Sequence, residues 1–115
     1  MSQSDHDRRV DYIEFTSPDL EATKRFYAEV FGWEFTDYGP EYTSFADGRL
    51  AGGFARGPGG GGSPLVVLYA RDLDAMQGRV EAAGITTFNL NSFPGGRRFH
   101  FKDPGGNELA VWSET

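Results

Sequence analysis

The chain has 115 residues, a length that fits one small domain with a single hydrophobic core. Its formal net charge of −6 disfavours nucleic-acid binding, which needs a basic surface, and the absence of cysteine excludes disulfides, thiolate metal sites and a cysteine nucleophile. Aromatic residues make up 15% of the chain, with ten Phe, which favours a packed core or an aromatic-lined pocket.

The N-terminal residues are polar and charged and lack the apolar stretch of a signal peptide. No segment approaches the roughly 20 apolar residues of a membrane span. The sequence therefore predicts a cytoplasmic protein with neither a membrane nor a nucleic acid as partner, and a flexible tail over residues 1–9.

The first half of the chain predicts a strand, a helix and three further strands. Polar and apolar side chains alternate from Tyr12 to Thr16, which is typical of a strand. Ser17 or Asp19 is expected to cap the helix, and Gly32 to end it. The strands are predicted at residues 10–16, 33–38, 41–46 and 49–56.

The same pattern recurs after a glycine-rich segment at residues 57–64, which predicts a flexible connector. The second helix is expected to begin at Asp72 and to end at Gly84. Its strands are predicted at residues 65–70, 85–90, 97–102 and 108–112. Residues 12–22 align with residues 65–75 without a gap, which indicates two similar units around a shared core. The predicted layout is a single domain over residues 10–115, with one module at 10–56 and a second at 65–115.

Two motifs resemble those of a known superfamily. Residues 17–27 read SPDLEATKRFY and are followed by VFGW at residues 30–33, and residues 101–109 read FKDPGGNEL. Both are similar to motifs of the vicinal oxygen chelate superfamily, which includes glyoxalases, bleomycin-resistance proteins and extradiol dioxygenases. The nearest resemblance is to short bacterial proteins related to lactoylglutathione lyase.

The resemblance implies an α+β fold in which two βαβββ modules form a curled mixed sheet around an open cup, with the helices outside. Strand alternation then assigns the faces. Ile13 and Phe15 are expected under the first helix, and Val66 and Leu68 under the second. The cup-facing positions are expected to be Tyr12, Glu14, Thr16, Leu65, Val67, Tyr69, Glu108, Ala110 and Trp112.

In metal-dependent members of the superfamily, His, Gln or Glu ligands come from the first and last strand of each module. The matching positions here are Tyr12, Leu65, about Gly52, and Ala110. Leu, Gly and Ala have no ligating side chain, and Tyr is a weak ligand for a divalent ion. The sequence therefore predicts no metal and no other cofactor.

A divalent metal remains as an alternative if the register differs or if the site has shifted. A shifted site would use Glu14, Glu108 and His100. Without a metal, glyoxalase isomerisation and extradiol oxygenation lack their Lewis acid.

Glu14 is the strongest candidate for a functional side chain. It lies in mid-strand at a predicted cup-facing position, and its counterpart in the repeat is Val67, so the fold itself does not require an acid there. If the cup is dry, this carboxylate is suited to act as a general base. The structural alternative is a carboxylate that meets solvent or pairs with an arginine such as Arg97.

The other candidate ligand-binding residues are aromatic or charged. An aromatic wall for a planar ligand is predicted from Tyr12, Tyr42, Phe54, Tyr69 and Trp112. Glu108 and His100 are further candidates, although His100 is also compatible with a structural role on either face of its strand. Arg97 and Arg98 are adjacent, so only one of them, taken to be Arg97, is expected to face the cup and hold an anion.

Three functions are compatible with these features. The first is a cup without a metal that binds or transforms a small organic molecule, as the resemblance to bleomycin-resistance proteins implies. The second is a lyase or isomerase related to lactoylglutathione lyase, with Glu14 as its base. The third is a dimeric interaction domain with a vestigial cup. The resemblance also implies a homodimer.

Overall fold

The computed structural model describes residues 3–58 and 64–115, which form two compact units. The first unit comprises Tyr12–Leu65, and the second comprises Val66–Thr115 together with the N-terminal segment up to Asp11. Most of the predicted glycine-rich connector, residues 59–63, lies outside the described residues.

The first unit contains one helix and a four-stranded mixed sheet. Its elements are β1 (Arg9–Ser17), α1 (Leu20–Phe31), β2 (Glu34–Asp37), β3 (Tyr42–Ala46) and β4 (Ala51–Arg56). The strand order is β2-β3-β4-β1, with β1 and β4 parallel and the other pairs antiparallel. The first three residues of β1 belong to the second unit.

Helix α1 begins and ends where the sequence predicts. The Asp19 carboxylate accepts a 3.0 Å hydrogen bond from the backbone N–H of Ala22, and Gly32 ends the helix in the left-handed conformation at φ 72°. Between β1, β4 and the helix lies a core of Leu20, Phe45 and Phe54. Phe15 packs against this core, as strand alternation predicts.

The second unit repeats the first. Its elements are β5 (Leu65–Tyr69), α2 (Leu73–Ala82), β6 (Thr87–Phe93), β7 (Gly96–Lys102) and β8 (Glu108–Ser113), and only the first residue of β5 belongs to the first unit. The strand order is β5-β8-β7-β6, and β5 and β8 are the parallel pair. Each unit therefore joins its first strand in parallel to its last, and the predicted α+β class with two βαβββ modules is confirmed.

The core of the second unit lies between α2 and its sheet. Its buried members are Ala70, Leu73, Phe99 and Val111. Asp72 caps α2 by accepting a 3.0 Å hydrogen bond from Ala75 N, which is the arrangement that Asp19 makes on α1. The equivalence of the two caps matches the repeat read from the sequence.

Residues 3–9 are ordered, which differs from the flexible tail predicted at residues 1–9. Gln3–His6 form a 3₁₀ helix, and β1 begins at Arg9. The Asp7 carboxylate accepts hydrogen bonds from the backbone and the guanidinium of Arg71, and the backbone N–H of Arg8 donates to the Tyr69 carbonyl. These polar contacts are long-range in sequence, so local composition does not reveal them.

Strand β6 is shifted relative to the prediction at residues 85–90. Ile85 N donates to the carbonyl of Val80, so the loop after α2 extends through Ile85 and β6 starts only at Thr87. A bulge lies between Phe88 and Asn91, where Asn89 has a φ of 54°. Among the described residues, no helix has the length and apolar character that a membrane crossing requires.

Candidate functional site

The sheet face opposite α1 carries a chain of three polar side chains. The hydroxyls of Tyr12 and Tyr42 are 2.6 Å apart, and the Tyr42 hydroxyl donates a 3.0 Å hydrogen bond to Glu14 Oε2. A tyrosine hydroxyl has one proton, so Tyr42, which gives its proton to Glu14, accepts from Tyr12. The hydrogen bonds therefore run in one direction and end on the carboxylate.

Gly53 makes room for this arrangement. In the register of the sheet it lies between Glu14 on β1 and Ser44 on β3. A methyl group at Gly53 would overlap the Tyr42 hydroxyl and come within 2.6 Å of the Tyr12 hydroxyl. The two phenol groups thus occupy the space that a side chain at position 53 would need.

Gly52 lies on the opposite face from the one the sequence predicts. A methyl group there would collide with the Phe45 ring, which belongs to the core under α1. The last-strand position that shares a face with Glu14 is therefore Gly53. The prediction at Gly52 is wrong by one residue, and in a strand one residue reverses the face.

The electrostatics of Tyr42 favour its neutral form. Burial raises the pKa of this phenol, and the neighbouring Tyr12 and Glu14 raise the pKa further. Tyr42 therefore remains a hydrogen-bond donor to Glu14 rather than becoming an anion beside it.

In the second unit, His100 and Glu108 form a pair on the face opposite α2. His100 Nδ1 lies 2.8 Å from Glu108 Oε2, and the imidazole is in tilted contact with the Phe88 ring at a centroid distance of 5.8 Å. His100 is 6% exposed, whereas the Glu108 side chain is 42% exposed. The register between β6 and β7 explains why these side chains lie together, because Phe88 is directly opposite His100.

An open cleft of about 500 Å³ adjoins this pair. Its lining combines the loop after α2 with the ends of three strands: Gly84, Ile85, Thr86, Phe88, Lys102 and Glu108. Phe88 and Glu108, which each contact the His100 ring, are among them.

Tyr69 and Trp112 lie side by side on the same face of the second unit. Their rings pack edge to face at 5.2 Å, and Trp112 Nε1 donates a 3.0 Å hydrogen bond to Asp11. Tyr69 donates to Glu114, and burial together with this carboxylate raises the pKa of Tyr69 to about 12. The sequence-predicted aromatic residues thus form two groups, Tyr12 with Tyr42 and Tyr69 with Trp112.

Two predicted ligand-binding residues lie elsewhere. Phe54 is buried in the core under α1, because its neighbour Gly53 takes the open face and adjacent strand residues alternate. Arg97 bonds to Asp74 of α2 and to the backbone carbonyl of Thr115, so it lies on the helix side. Arg98 is the arginine on the open face, directly opposite Trp112. The expectation that Arg97 faces the cup is therefore wrong, and Arg98 takes that face instead.

Three residues of these faces were absent from the sequence prediction: Gly53, Phe88 and Asp11. A signal existed for Gly53, because paired glycines inside a strand often mark a close approach of other groups. The position of Phe88 depends on the bulge in β6, and the role of Asp11 depends on Trp112, about a hundred residues away in sequence. Neither feature leaves a local signal in the sequence.

The residues at the superfamily's metal positions do not fit a metal ion. The Tyr12 hydroxyl is engaged with Tyr42, and Gly53, Leu65 and Ala110 present no ligating atom. Within residues 3–58 and 64–115, no group of three or more His, Cys, Asp or Glu side chains is placed to hold a metal. His100 and Glu108 supply two donors of the shifted site considered from the sequence.

Comparison with curated proteins gives two relatives from Streptomyces. Anthracycline biosynthesis protein DauV of Streptomyces sp. (strain C5) and anthracycline biosynthesis protein DnrV of Streptomyces peucetius are each 36% identical over 124 residues. The alignments cover 88% of this chain but 45% of each relative, so the chain spans less than half of their length.

Solved structures with the same fold include several enzymes. Methylmalonyl-CoA epimerase from Mycobacterium tuberculosis has a TM-score of 0.74 at 14% identity, covering 98% of this chain and 91% of its own. Homoprotocatechuate 2,3-dioxygenase from Arthrobacter globiformis has a TM-score of 0.72 at 19% identity, covering 96% and 37%. The Mn(II)-bound glyoxalase from Novosphingobium aromaticivorans is 27% identical, with a TM-score of 0.67 and coverage of 91% and 38%. The first two likenesses establish the fold alone.

The family model described as Glyoxalase/Bleomycin resistance protein/Dioxygenase superfamily matches residues 9–111, which is nearly the whole chain. The duplicated βαβββ units and the two motifs of the sequence agree with this match. The chain belongs to the Glyoxalase/Bleomycin resistance protein/Dioxygenase superfamily.

Proposed function

We propose that this protein binds a planar aromatic molecule with phenol or quinone oxygens, of the kind found in anthracyclines, and that it does so without the superfamily metal. The observation that carries the proposal is the directed hydrogen-bond chain from Tyr12 through Tyr42 to Glu14. The ligand class is suggested by the names of DauV and DnrV, which are 36% identical to most of this chain.

The polar chain is suited to orient an oxygen-rich aromatic ligand. The Glu14 carboxylate is an acceptor for a ligand hydroxyl, while Tyr12, whose proton points to Tyr42, offers its oxygen lone pairs. Tyrosine rings add flat apolar area at a low cost in side-chain entropy. In a pocket that is otherwise apolar, a few such placed polar groups fix the orientation of a ligand.

Absence of the metal is part of the proposal, and its support is the donor set. Three of the four superfamily ligand positions hold residues without a ligating side chain, at Gly53, Leu65 and Ala110. We expect binding to be unchanged after treatment with a chelator. A stoichiometric metal that survives dialysis, found by elemental analysis, would contradict this part.

The binding test is a fluorescence titration with the hydroxyanthraquinone quinizarin. Glu14→Gln keeps the shape of the side chain and removes its charge, and Tyr42→Phe removes the hydroxyl that links the chain. Each is expected to weaken binding about tenfold, the loss of one hydrogen bond to a charged group. Glu29→Gln makes the same change at an exposed position on helix α1, so it is the matched control and should bind normally. Equal affinity of Glu14→Gln and the control would refute the assignment.

A second candidate is an isomerase or lyase in which Glu14 is the general base. It is favoured by one observation, the carboxylate at the end of a hydrogen-bond chain on an open sheet face. The two candidates separate by NMR, because a base exchanges an acidic carbon-bound proton of its ligand with solvent deuterium. Catalysis predicts exchange that Glu14→Gln abolishes while binding persists, and a pure binding protein gives no exchange in either.

We also propose that the chain forms a homodimer. The support is the length of DauV and DnrV, of which one copy of this chain covers 45%. A second copy would supply a comparable length of chain. The remaining alternative, a dimeric interaction domain that binds no ligand, predicts dimers but no response to quinizarin in the titration above.

A further inference from the structure

We propose that His100, oriented by Glu108, accepts a hydrogen bond from a phenolic hydroxyl whose ring packs on Phe88, which makes this part of the second unit a phenol-binding subsite. The subsite shares its ligand class with the proposed function. Its residues are separate from Glu14, Tyr12 and Tyr42, so each can be tested without the other.

The Glu108 carboxylate fixes the tautomer of His100. Nδ1 lies 2.8 Å from Glu108 Oε2, and a carboxylate only accepts hydrogen bonds, so Nδ1 carries the proton that it donates. In the neutral imidazole, Nε2 is then the unprotonated nitrogen with a free lone pair. The pair therefore presents a hydrogen-bond acceptor, which a lone structural histidine in the other tautomer would not do.

The acceptor nitrogen is not fully buried, although the residue as a whole almost is. Within the described part of the chain, no buried side-chain nitrogen or oxygen lacks a hydrogen-bond partner. The hydrogen bond of the His100 ring in this structure is made by Nδ1, to Glu108. Because Nε2 has no such partner among the described residues, it is not fully buried, while the whole residue is only 6% exposed. At so small an exposure, we expect Nε2 to admit one small donor such as a hydroxyl group.

The neighbouring cleft is suited to the rest of a phenol. The cleft has a volume of about 500 Å³ and is open to solvent, so it has room for a small aromatic ring. Phe88 and Ile85 provide apolar surface for a ring, and the Lys102 ammonium attracts the partial negative charge on a phenol oxygen. An acceptor, an aromatic face and a cation together select a phenol over an apolar arene or an alkyl amine.

The first test reads the tautomer directly. Long-range proton–nitrogen NMR of the ligand-free protein distinguishes protonated from unprotonated imidazole nitrogens. The chain has two histidines, so a His6→Gln variant leaves a single set of signals for assignment. We expect Nδ1 protonated and Nε2 unprotonated at His100, and a Glu108→Gln variant should lose this preference. An Nε2-protonated His100 in the unmodified protein would overturn the proposal.

The second test compares two probes of nearly the same shape. β-Naphthol has a hydroxyl to donate, and its methyl ether does not. We expect the unmodified protein to bind β-naphthol about tenfold more tightly than the ether, with a shift of the His100 Nε2 signal on binding. In His100→Gln the preference should disappear, and in His6→Gln it should remain. Equal affinity for the two probes in the unmodified protein would overturn the subsite even if His100→Gln fails to fold.

Failure of the subsite and failure of the proposed function give different results. If quinizarin binding depends on Glu14 while β-naphthol and its ether bind alike, the subsite is refuted and the proposed function stands. If quinizarin does not bind but β-naphthol shifts the His100 Nε2 signal, the subsite stands and the anthracycline-like ligand class is refuted.

Discussion

The Tyr42 hydroxyl occupies the space that a side chain at Gly53 would fill. Gly53 lies on β4, directly opposite Ser44 of β3 and beside Glu14 of β1, so the phenol crosses over the glycine to reach the carboxylate. The hydrogen-bond chain therefore depends on a missing side chain as much as on the three that form it.

Replacing Gly53 with Ala is expected to break this chain. The new methyl group would overlap the Tyr42 hydroxyl and approach the Tyr12 hydroxyl to 2.6 Å, so both rings must move. We expect weaker quinizarin binding and a loss of about 1–3 kcal/mol in the free energy of unfolding, the usual cost of overpacking. Gly78→Ala is the control, because it has open space in helix α2 and should leave binding unchanged. Normal binding by Gly53→Ala would show that the phenols can shift without consequence.

The two helix caps should contribute equally to stability, because Asp19 and Asp72 make the same 3.0 Å hydrogen bond. Asp19→Ala and Asp72→Ala are each expected to lower the free energy of unfolding by about 1 kcal/mol in urea titrations. Asp19→Asn and Asp72→Asn keep a capping oxygen and should restore most of the loss. A loss in only one helix would show that the repeat is not equivalent energetically.

Arg97 and Arg98 are adjacent but should have different roles. Arg97 is bound to Asp74 and to the carbonyl of Thr115, whereas Arg98 lies on the open face opposite Trp112. We expect Arg98→Gln to weaken binding of a sulfonated anthraquinone about tenfold, and Arg97→Gln to leave it unchanged. The readout is a fluorescence titration with that anion. The reverse result would place Arg97 at the ligand despite its ion pair.

Strand alternation and the repeat were sufficient to predict the order of elements, both helix caps and the face that carries Glu14. They were not sufficient where a single residue decides the face, as at Gly52 and Gly53, since neither glycine has a side chain that marks its direction. Phe54 was predicted to face the cup but lies in the core under α1, because it follows Gly53, whose face the sequence does not reveal. The register of β6 depends on a bulge at Asn89, which no pattern in the sequence marks.

The proposed homodimer has a surface that can be tested on helix α1. Phe26 and Val30 are one helical turn apart and are 51% and 58% exposed, so together they present apolar surface to solvent. We expect light scattering to show a dimer at micromolar concentration, and Val30→Glu to shift it towards monomer. Glu29→Gln, at the neighbouring position, should stay dimeric. A monomer for the unmodified protein would refute the dimer.

The stability of the protein at high pH should depend on Tyr69. Burial and the Glu114 carboxylate raise the pKa of this phenol from 10.0 to about 12, so the folded chain holds the proton more tightly than the unfolded chain does. The corresponding stabilisation is complete below pH 10 and is lost as the pH rises to about 12. We expect the midpoint of urea unfolding to fall more steeply over this interval in the unmodified protein than in Tyr69→Phe. Glu114→Gln should move the ionisation of Tyr69, followed by phenolate absorbance, to lower pH, and an unchanged ionisation would show that the carboxylate does not act on the phenol.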